Sequence, residues 1–162
     1  IALSGPAVMA GSWSIQGIIL SQTQMGPFLL FQPLGFLLAV AGLIGKLKRD
    51  PLDIPKAKSE VVAGSLTEYT GVKLGFWHLV MSIQAVVGIF LLVNLYLSWS
   101  NITGKVFSIL VFFLESMLMM VLLSAASAVF ARLRIDQLAD LGWKILVPLA
   151  LLQLLVVILM GV

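Results

Sequence analysis

The sequence predicts an all-α fold of the polytopic transmembrane class, with about five transmembrane helices and two cytoplasmic polar loops. Of the 162 residues, 60% are hydrophobic and 10% are charged, against about 45–50% and about 25% in average soluble domains. The mean hydropathy is +1.11. A soluble domain of this size would still leave about a third of its surface in water. We therefore exclude soluble enzymes, nucleic-acid-binding domains and disordered chains, and expect lipid to surround most of the protein.

Charge-poor stretches predict where the helices cross the membrane. A crossing needs about 20 apolar residues, and the first stretch, 1–45, is long enough for two. A break is expected near Gln22–Gln24 and Gly26–Pro27, because glycine and proline interrupt helices. Glu115 is the single charge within the later stretches. The predicted helices run over about 2–21, 28–45, 74–97, 106–131 and 145–162.

Two polar segments carry most of the charges and predict the topology. The segment 46–73 holds ten charged residues and the segment 132–144 holds five. Five crossings put both segments on one side of the membrane, which then carries nine of the ten basic residues. An excess of lysine and arginine marks the cytoplasmic side. We therefore expect both segments to lie in the cytoplasm. We also expect a multi-pass protein of the cell membrane rather than of an organellar inner membrane.

The composition limits the chemistry that this chain can perform by itself. It has no cysteine and one histidine, His78, which excludes disulfides, thiolate zinc sites and ligation of an iron–sulfur cluster by this chain. No nucleophile–base set is evident, so we expect no catalytic, cofactor-binding or metal-binding residue in it. The chain starts at Ile1 inside an apolar segment. We expect a single transmembrane domain, 1–162, that forms the C-terminal part of a longer polypeptide.

Two motifs lie in the polar segments. Residues 53–71 read Asp-Ile-Pro-Lys-Ala-Lys-Ser-Glu-Val-Val-Ala-Gly-Ser-Leu-Thr-Glu-Tyr-Thr-Gly. Residues 132–138 read Arg-Leu-Arg-Ile-Asp-Gln-Leu, and residues 141–144 read Leu-Gly-Trp-Lys. Both stretches resemble the most diagnostic parts of the subunit 1 family of respiratory complex I, which also includes the membrane subunits of energy-converting hydrogenases. The resemblance spans the whole chain and implies the C-terminal helices of that family.

The resemblance implies the membrane anchor of a complex I-like or membrane-bound hydrogenase-like respiratory complex, a non-catalytic subunit of an oxidoreductase. Such a subunit docks the peripheral redox arm and couples electron transfer to proton or sodium ion translocation. The implied partners are a hydrogenase-like large subunit, an iron–sulfur small subunit and antiporter-like membrane subunits. Those partners hold the implied cofactors, which are iron–sulfur clusters and, in hydrogenase-like members, nickel–iron. The electron acceptor stays open between a quinone, protons and a sulfur compound.

Acidic residues in or beside apolar segments are candidates for an ion path, because an unpaired carboxylate is costly there. Glu60 and Glu68 are eight residues apart and would share one face of a helix, a spacing that suits proton relay through water. Glu115 lies deep in the fourth predicted helix. Together with Asp53 from the first motif, these residues form the expected ion-coupling path. The simpler alternative is that Glu60 and Glu68 pair with nearby lysines at the membrane surface.

Mixed charges in the two polar segments are the candidates for docking the redox arm. The second motif supplies Arg132, Arg134 and Asp136, and the first supplies Lys56 and Lys58. Mixed charges of this kind suit the polar rim of a protein interface better than contact with lipid.

Four lysines depart from the family pattern. Lys56 and Lys58 stand where the family usually has glutamates, and Lys46 and Lys48 lie where it has acidic residues nearby. A row of lysines would repel a proton or a sodium ion. Two alternatives therefore remain: a structural membrane anchor whose ion path has decayed, and an independent transporter. Transporters usually show repeat-related halves, and the sequence shows no internal repeat.

Overall fold

The computed structural model describes residues 1–47, 70–98, 105–129 and 135–160. Throughout these ranges the fold is helical and contains no β-strand. Three helices are long and apolar enough to cross a membrane: Val72–Leu97, Val106–Val129 and Asp136–Met160. A shorter apolar helix runs over Pro33–Leu47. The predicted all-α fold is confirmed.

The helices are numbered in chain order, and two of them contain a segment of π-helix. We call Val93–Leu97 the first π-turn and Leu141–Leu146 the second π-turn. The elements are α1 (Ser4–Ala10), α2 (Ile15–Met25), α3 (Phe28–Phe31), α4 (Pro33–Leu47), α5 (Val72–Leu92), the first π-turn, α6 (Lys105–Val129), α7 (Ile135–Asp140), the second π-turn and α8 (Val147–Met160).

The predicted continuous helix over 2–21 is wrong, because two short helices take its place. α1 ends at Gly11, whose φ of 61° lies in the left-handed region that glycine adopts without steric strain. α2 begins after Ser14, whose Oγ accepts a hydrogen bond from the Gly17 N–H at 3.0 Å. That bond satisfies one of the free donors at the start of the helix. With seven and eleven residues, neither helix can cross a bilayer alone.

The predicted break before residue 28 is confirmed. Gly26 ends α2 with a φ of 95°, and Pro27 follows it in an extended conformation. A second interruption at Gln32 separates α3 from α4. α4 starts at Pro33, a position where proline fits because the first N–H of a helix has no partner within it.

Part of the predicted polar loop over 132–144 is helical instead. α7 begins at Ile135, and the helix continues through the second π-turn into α8. The predicted start of this helix at 145 is therefore too late by two to three turns. Lys144 Nζ lies 2.9 Å from Asp140 Oδ1, one turn back, so polar residues on this exposed helical end pair with each other and do not break the helix.

α4 and α5 pack side by side and run in opposite directions. Leu43 packs against Gly88, where an added Cβ would collide with the leucine side chain. Earlier on α4, the ring of Phe36 lies 5.6 Å from that of Tyr96, which comes later along the chain than Gly88. α6 packs on the same helix, since the rings of Phe90 and Phe112 are 5.1 Å apart. α5 and its π-turn therefore form the centre of the bundle.

The outer faces of the long helices carry large apolar side chains. Leu114, Met117 and Leu159 are each exposed to about 70% of their area. Contiguous apolar surface of this kind is rare on soluble monomers. It suits helices surrounded by lipid or by neighbouring membrane subunits.

Candidate functional site

Most of the site residues predicted from the sequence lie outside the described residues. These are Asp53, Lys56, Lys58, Glu60, Glu68, Arg132 and Arg134. Two predicted residues, Asp136 and Glu115, are described. The ion path and the docking loop can therefore each be followed at one position.

Asp136 lies in the first turn of α7 and is exposed. One turn further on, Asp140 forms its exposed ion pair with Lys144. Exposed pairs of this kind stabilise a protein by about 1 kcal/mol or less. This end of the helix thus presents charges of both signs on an accessible surface.

Glu115 lies near the middle of α6 and is buried, with 8% of its area exposed. Its Oε2 atom has no hydrogen-bond partner within the described residues. The same face of α6 holds the buried Ser116, Met119 and Leu123. The Ser116 hydroxyl donates to the Phe112 carbonyl at 2.7 Å, so it is engaged with its own helix. A carboxyl group is thus held among apolar side chains in the interior of a membrane helix, as the sequence predicts.

The face of α6 that carries Glu115 is turned towards the centre of the bundle. Phe112, one turn before Glu115, stacks at a tilt on Phe90 of α5. Further along α6, Met120 and Leu123 line a small cavity of about 120 Å³ together with residues of α4 and α5. Glu115 lies between these two contacts, so its carboxyl group faces other helices and not the lipid.

A second polar group of the core is the side chain of Gln22, which holds the first π-turn. Gln22 is 1% exposed, and its Nε2 donates to the carbonyl oxygens of Asn94 and Leu95, each at 3.0 Å. Asn94 in turn donates to the Phe90 carbonyl at 2.8 Å. A π-turn disturbs the regular helical hydrogen-bond ladder. Gln22 supplies donors to carbonyl groups that would otherwise be short of partners in an apolar environment.

A pair of buried glutamines joins the two ends of the chain. Gln153 Nε2 of α8 donates to Gln32 Oε1 at 3.2 Å, and Gln32 Nε2 donates to the Gly5 carbonyl of α1 at 3.3 Å. Glycines make room for them, since a Cβ at Gly35 would lie 2.5 Å from Gln153 Nε2. The Oε1 atoms of Gln22 and Gln153 lack a hydrogen-bond partner among the described residues.

Tyr96 ties the first π-turn to the residues just before α1. Its ring is fully buried, and its hydroxyl donates to the Ala2 carbonyl at 2.7 Å. With Gln22, Gln32 and Gln153, it forms a set of uncharged polar contacts that we call the carboxamide cluster. These contacts attach α2 to the first π-turn and α1 to α8, and so fix the relative positions of helices that are far apart in the sequence.

Sequence reasoning missed the carboxamide cluster. The signal was available, because a glutamine inside a charge-free apolar stretch is costly unless another group satisfies it. The same argument identified Glu115. In the described ranges, no group of three or more His, Asp or Glu side chains is placed to hold a metal ion.

The fold and these buried polar groups show which class of protein this is. It is a helical membrane protein that holds a carboxyl group and several carboxamide groups inside its helix bundle. The chain belongs to the NADH dehydrogenase family, whose model matches residues 1–158, that is, to the subunit 1 family of complex I. The resemblance carried by the two motifs is thereby confirmed.

Curated relatives agree with this assignment. The chain is 34% identical over 165 residues to the H subunit of NADH-quinone oxidoreductase from Thermomicrobium roseum, covering 95% of this chain and 48% of the relative. It is 36% identical over 155 residues to an H subunit of the same enzyme in Syntrophobacter fumaroxidans, covering 93% and 45%. The H subunit of F(420)H(2) dehydrogenase from Methanosarcina mazei is 32% identical over 163 residues, covering 95% and 47%. The chain thus spans just under half the length of these relatives.

Proposed function

We propose that this chain is the membrane anchor of a complex I-like oxidoreductase, which docks a peripheral redox arm and couples electron transfer to proton or sodium ion translocation. Family membership supports this proposal. The relatives' names refer to two different electron donors, NADH and F(420)H(2). A subunit shared by both enzymes suits a role in the membrane that does not depend on the donor.

The docking part of the proposal concerns the polar end of the helix that contains α7 and α8. Asp136, Asp140 and Lys144 are exposed there, and Arg132 and Arg134 precede them in the sequence. Interfaces between proteins have a polar rim, and mixed charges are poorly suited to lipid. We assign this end to contact with the large subunit and the iron–sulfur small subunit of the arm. Antiporter-like subunits are the proposed neighbours within the membrane.

The coupling part depends on one observation, the buried carboxyl group of Glu115. Its Oε2 atom lacks a hydrogen-bond partner among the described residues, and ionisable groups inside membrane helices mark ion pathways and proton relays. A hydrophobic side chain at position 115 would pack better than a carboxyl group. The presence of a carboxyl group there therefore supports a role in moving charge. In the proposed mechanism, electron transfer in the arm shifts charge at the polar segments, and Glu115 passes a proton or cation further into the membrane.

The test is Glu115→Gln in the assembled complex, purified and reconstituted into sealed vesicles. Glutamine keeps the shape and the hydrogen-bonding capacity of the side chain but cannot gain or lose a charge. We expect the complex to assemble and electron transfer to slow or to continue with a smaller ion gradient per electron. The two readouts are the redox turnover and the gradient recorded by a pH- or sodium-sensitive dye.

Ser116→Ala is the matched control, because it changes the neighbouring buried polar side chain on the same face of α6, which is hydrogen-bonded only to its own helix and carries no ionisable group. It should leave both the turnover and the gradient at the level of the unmodified protein. If Glu115→Gln also keeps full turnover and a full gradient, Glu115 does not couple and the coupling proposal is wrong.

A structural membrane anchor with a decayed ion path is the second candidate. The observation that favours it is the set of lysines, Lys46, Lys48, Lys56 and Lys58, at or near positions where the family has acidic residues. This candidate predicts that the complex needs the chain for assembly but that no acid-to-amide variant changes the gradient. The Glu115→Gln experiment therefore separates the two candidates.

A further inference from the structure

A groove between residues 1–3, α4 and α5 opens to the outside of the bundle and has no role in the proposed coupling. Its volume is about 700 Å³, which falls within the ~300–1,000 Å³ of typical small-molecule sites. The walls are apolar and include Leu43 of α4 with Val87 and Leu91 of α5. Two polar side chains, Lys46 and Gln84, complete the lining.

The groove is elongated along the helices. Leu38, Gly42 and Lys46 follow one another at one-turn intervals on α4, so this wall is about 12 Å long. Lys46 stands at one end. Ala2 stands at the other end, beside Tyr96, whose hydroxyl donates to the Ala2 carbonyl. The length approaches the thickness of one leaflet, about 15 Å, or half of the hydrocarbon core.

In the described part of the chain, Lys46 is the charged side chain in the lining of the groove, and it stands at one end. Lys46 is exposed and forms no ion pair within the described residues, and no acidic side chain belongs to the lining as far as the chain is described. An ammonium group at the end of an apolar channel attracts an anionic group attached to an apolar tail. Basic side chains between membrane helices bind the headgroups of anionic lipids in this way.

Gly42 keeps the groove open. It is exposed, and a Cβ added there would meet no atom within 4 Å. A larger side chain at this position would therefore enter the groove without disturbing the packing of α4. Gly88 acts differently, because Leu43 fills the space where its side chain would be.

We propose that this groove binds an anionic phospholipid, with one acyl chain along Leu43, Val87 and Leu91 and the headgroup phosphate on Lys46. Gln84, on the opposite wall, lies where its amide can donate to the polar glycerol region. The apolar walls accept the acyl chain of any phospholipid, so Lys46 determines the preference for an anionic headgroup. The site is separate from Glu115 and from the polar end of α7.

The test uses the assembled complex in vesicles that contain a phospholipid with a photoreactive group on its acyl chain. Phosphatidylglycerol is the anionic probe and phosphatidylcholine is the uncharged control. After illumination, peptides from α4 and α5 are analysed for attached lipid by mass spectrometry. We expect the anionic probe to label the groove more strongly, and Lys46→Gln to reduce this preference about fivefold, which corresponds to the roughly 1 kcal/mol of one basic residue at an anionic surface.

Gly42→Leu should abolish labelling by both probes because it fills the groove. Lys73→Gln and Gly75→Leu are the matched controls, since they make the same changes on α5 outside the groove, and both should leave the labelling unchanged. Equal labelling by the two probes, or labelling that Gly42→Leu leaves intact, would mean that only annular lipid is present. Displacement of the probe by a quinone, or crosslinks from these peptides to a protein segment in place of lipid, would also overturn the proposal.

Discussion

Gln22 donates hydrogen bonds from one side-chain nitrogen to Leu95 and Asn94, residues 73 and 72 positions away in the sequence. This contact joins a short helix of the first apolar stretch to the π-turn of the central helix. The carbonyl groups of a π-turn cannot rely on water inside a membrane, so an external donor must satisfy them. A residue of the first apolar stretch therefore holds the π-turn that continues α5, the helix on which α6 packs.

Replacing Gln22 with leucine should destabilise the protein, because two carbonyl groups would lose their donor. We expect the free energy of unfolding to fall by about 1–2 kcal/mol. This value lies between the average contribution of a hydrogen bond inside a membrane protein and the larger cost of a buried polar group that has no partner. Unfolding in mixed micelles measures this change. Gln24→Leu, on the exposed side of α2, is the control and should have little effect. Equal stability of the two variants would show that the π-turn does not depend on Gln22.

Replacing Gly35 with alanine should disturb the contact between Gln153 and Gln32. The new Cβ would lie 2.5 Å from Gln153 Nε2, closer than two such atoms can approach. We expect a loss of about 1–3 kcal/mol in the free energy of unfolding, the usual range for overpacking in a core. Gly75→Ala, which meets no atom within 4 Å, should be neutral or stabilising because alanine favours helix.

A double variant tests whether Gln153 is the cause. Once Gln153→Ala has removed the side chain, Gly35→Ala should be tolerated, since nothing remains for the new methyl group to meet. Coupled effects of this kind are expected only for residues in contact. If the losses in the free energy of unfolding from Gly35→Ala and Gln153→Ala simply add, the contact with Gln153 is not the reason why Gly35→Ala destabilises the protein.

The sequence predicts the long helices well and the short ones poorly, for a physical reason. Length without charge is enough to identify α5, α6 and the last helix, and the break at Gly26 and Pro27 follows from backbone chemistry. The break at Gly11 was missed because the surrounding residues are as apolar as a spanning helix. Ser14 is a residue type that favours the start of a helix. The prediction did not use this signal, because it was based on the hydropathy of the stretch.

The candidate site was predictable in part. Burial of Glu115 follows from its position in an apolar helix, and the structure confirms it. The carboxamide cluster depends on tertiary contacts, because Gln22, Gln32 and Gln153 are far apart in the chain and uncharged. Hydropathy assigns each of them a small penalty and gives no indication that Gln32 and Gln153 meet each other. Their partners become visible only when the helices are packed.

The topology can be tested directly because the chain has no cysteine of its own. Lys73→Cys and Lys144→Cys should both react with a membrane-impermeant maleimide from the cytoplasmic side only, as the positive-inside rule predicts. Lys105→Cys should react from the opposite side. Reaction of residues 73 and 144 from different sides would contradict the predicted placement of both polar segments on one side of the membrane.

Docking of the redox arm should depend on the second motif. Alanine replacements at Arg132, Arg134 and Asp136 remove its charges, and we expect the arm to dissociate at lower salt concentration than in the unmodified complex. Salt weakens contacts between exposed charges, so the measurement is the fraction of arm subunits that remain on the membrane after washing. A variant complex that stays intact through the same salt range as the unmodified one would contradict the docking role.

Glu60, Glu68 and Glu115 should act on one ion path, and combining their variants tests this. Glu68 lies in the Thr-Glu-Tyr stretch, four residues before the first residue of α5, and Glu115 is buried in α6. Glu68→Gln and Glu115→Gln should each lower the ion gradient per electron while the complex still assembles. Residues that act as a unit are strongly non-additive, so the double variant should be no worse than the more severe single variant. Additive losses would mean that Glu68 and Glu115 belong to separate ion routes.

The Glu60 and Glu68 variants also test the polar segment itself. If Glu60→Gln and Glu68→Gln both keep full turnover and a full gradient, the lysine-rich segment is not an ion entrance, and the chain serves as a structural anchor.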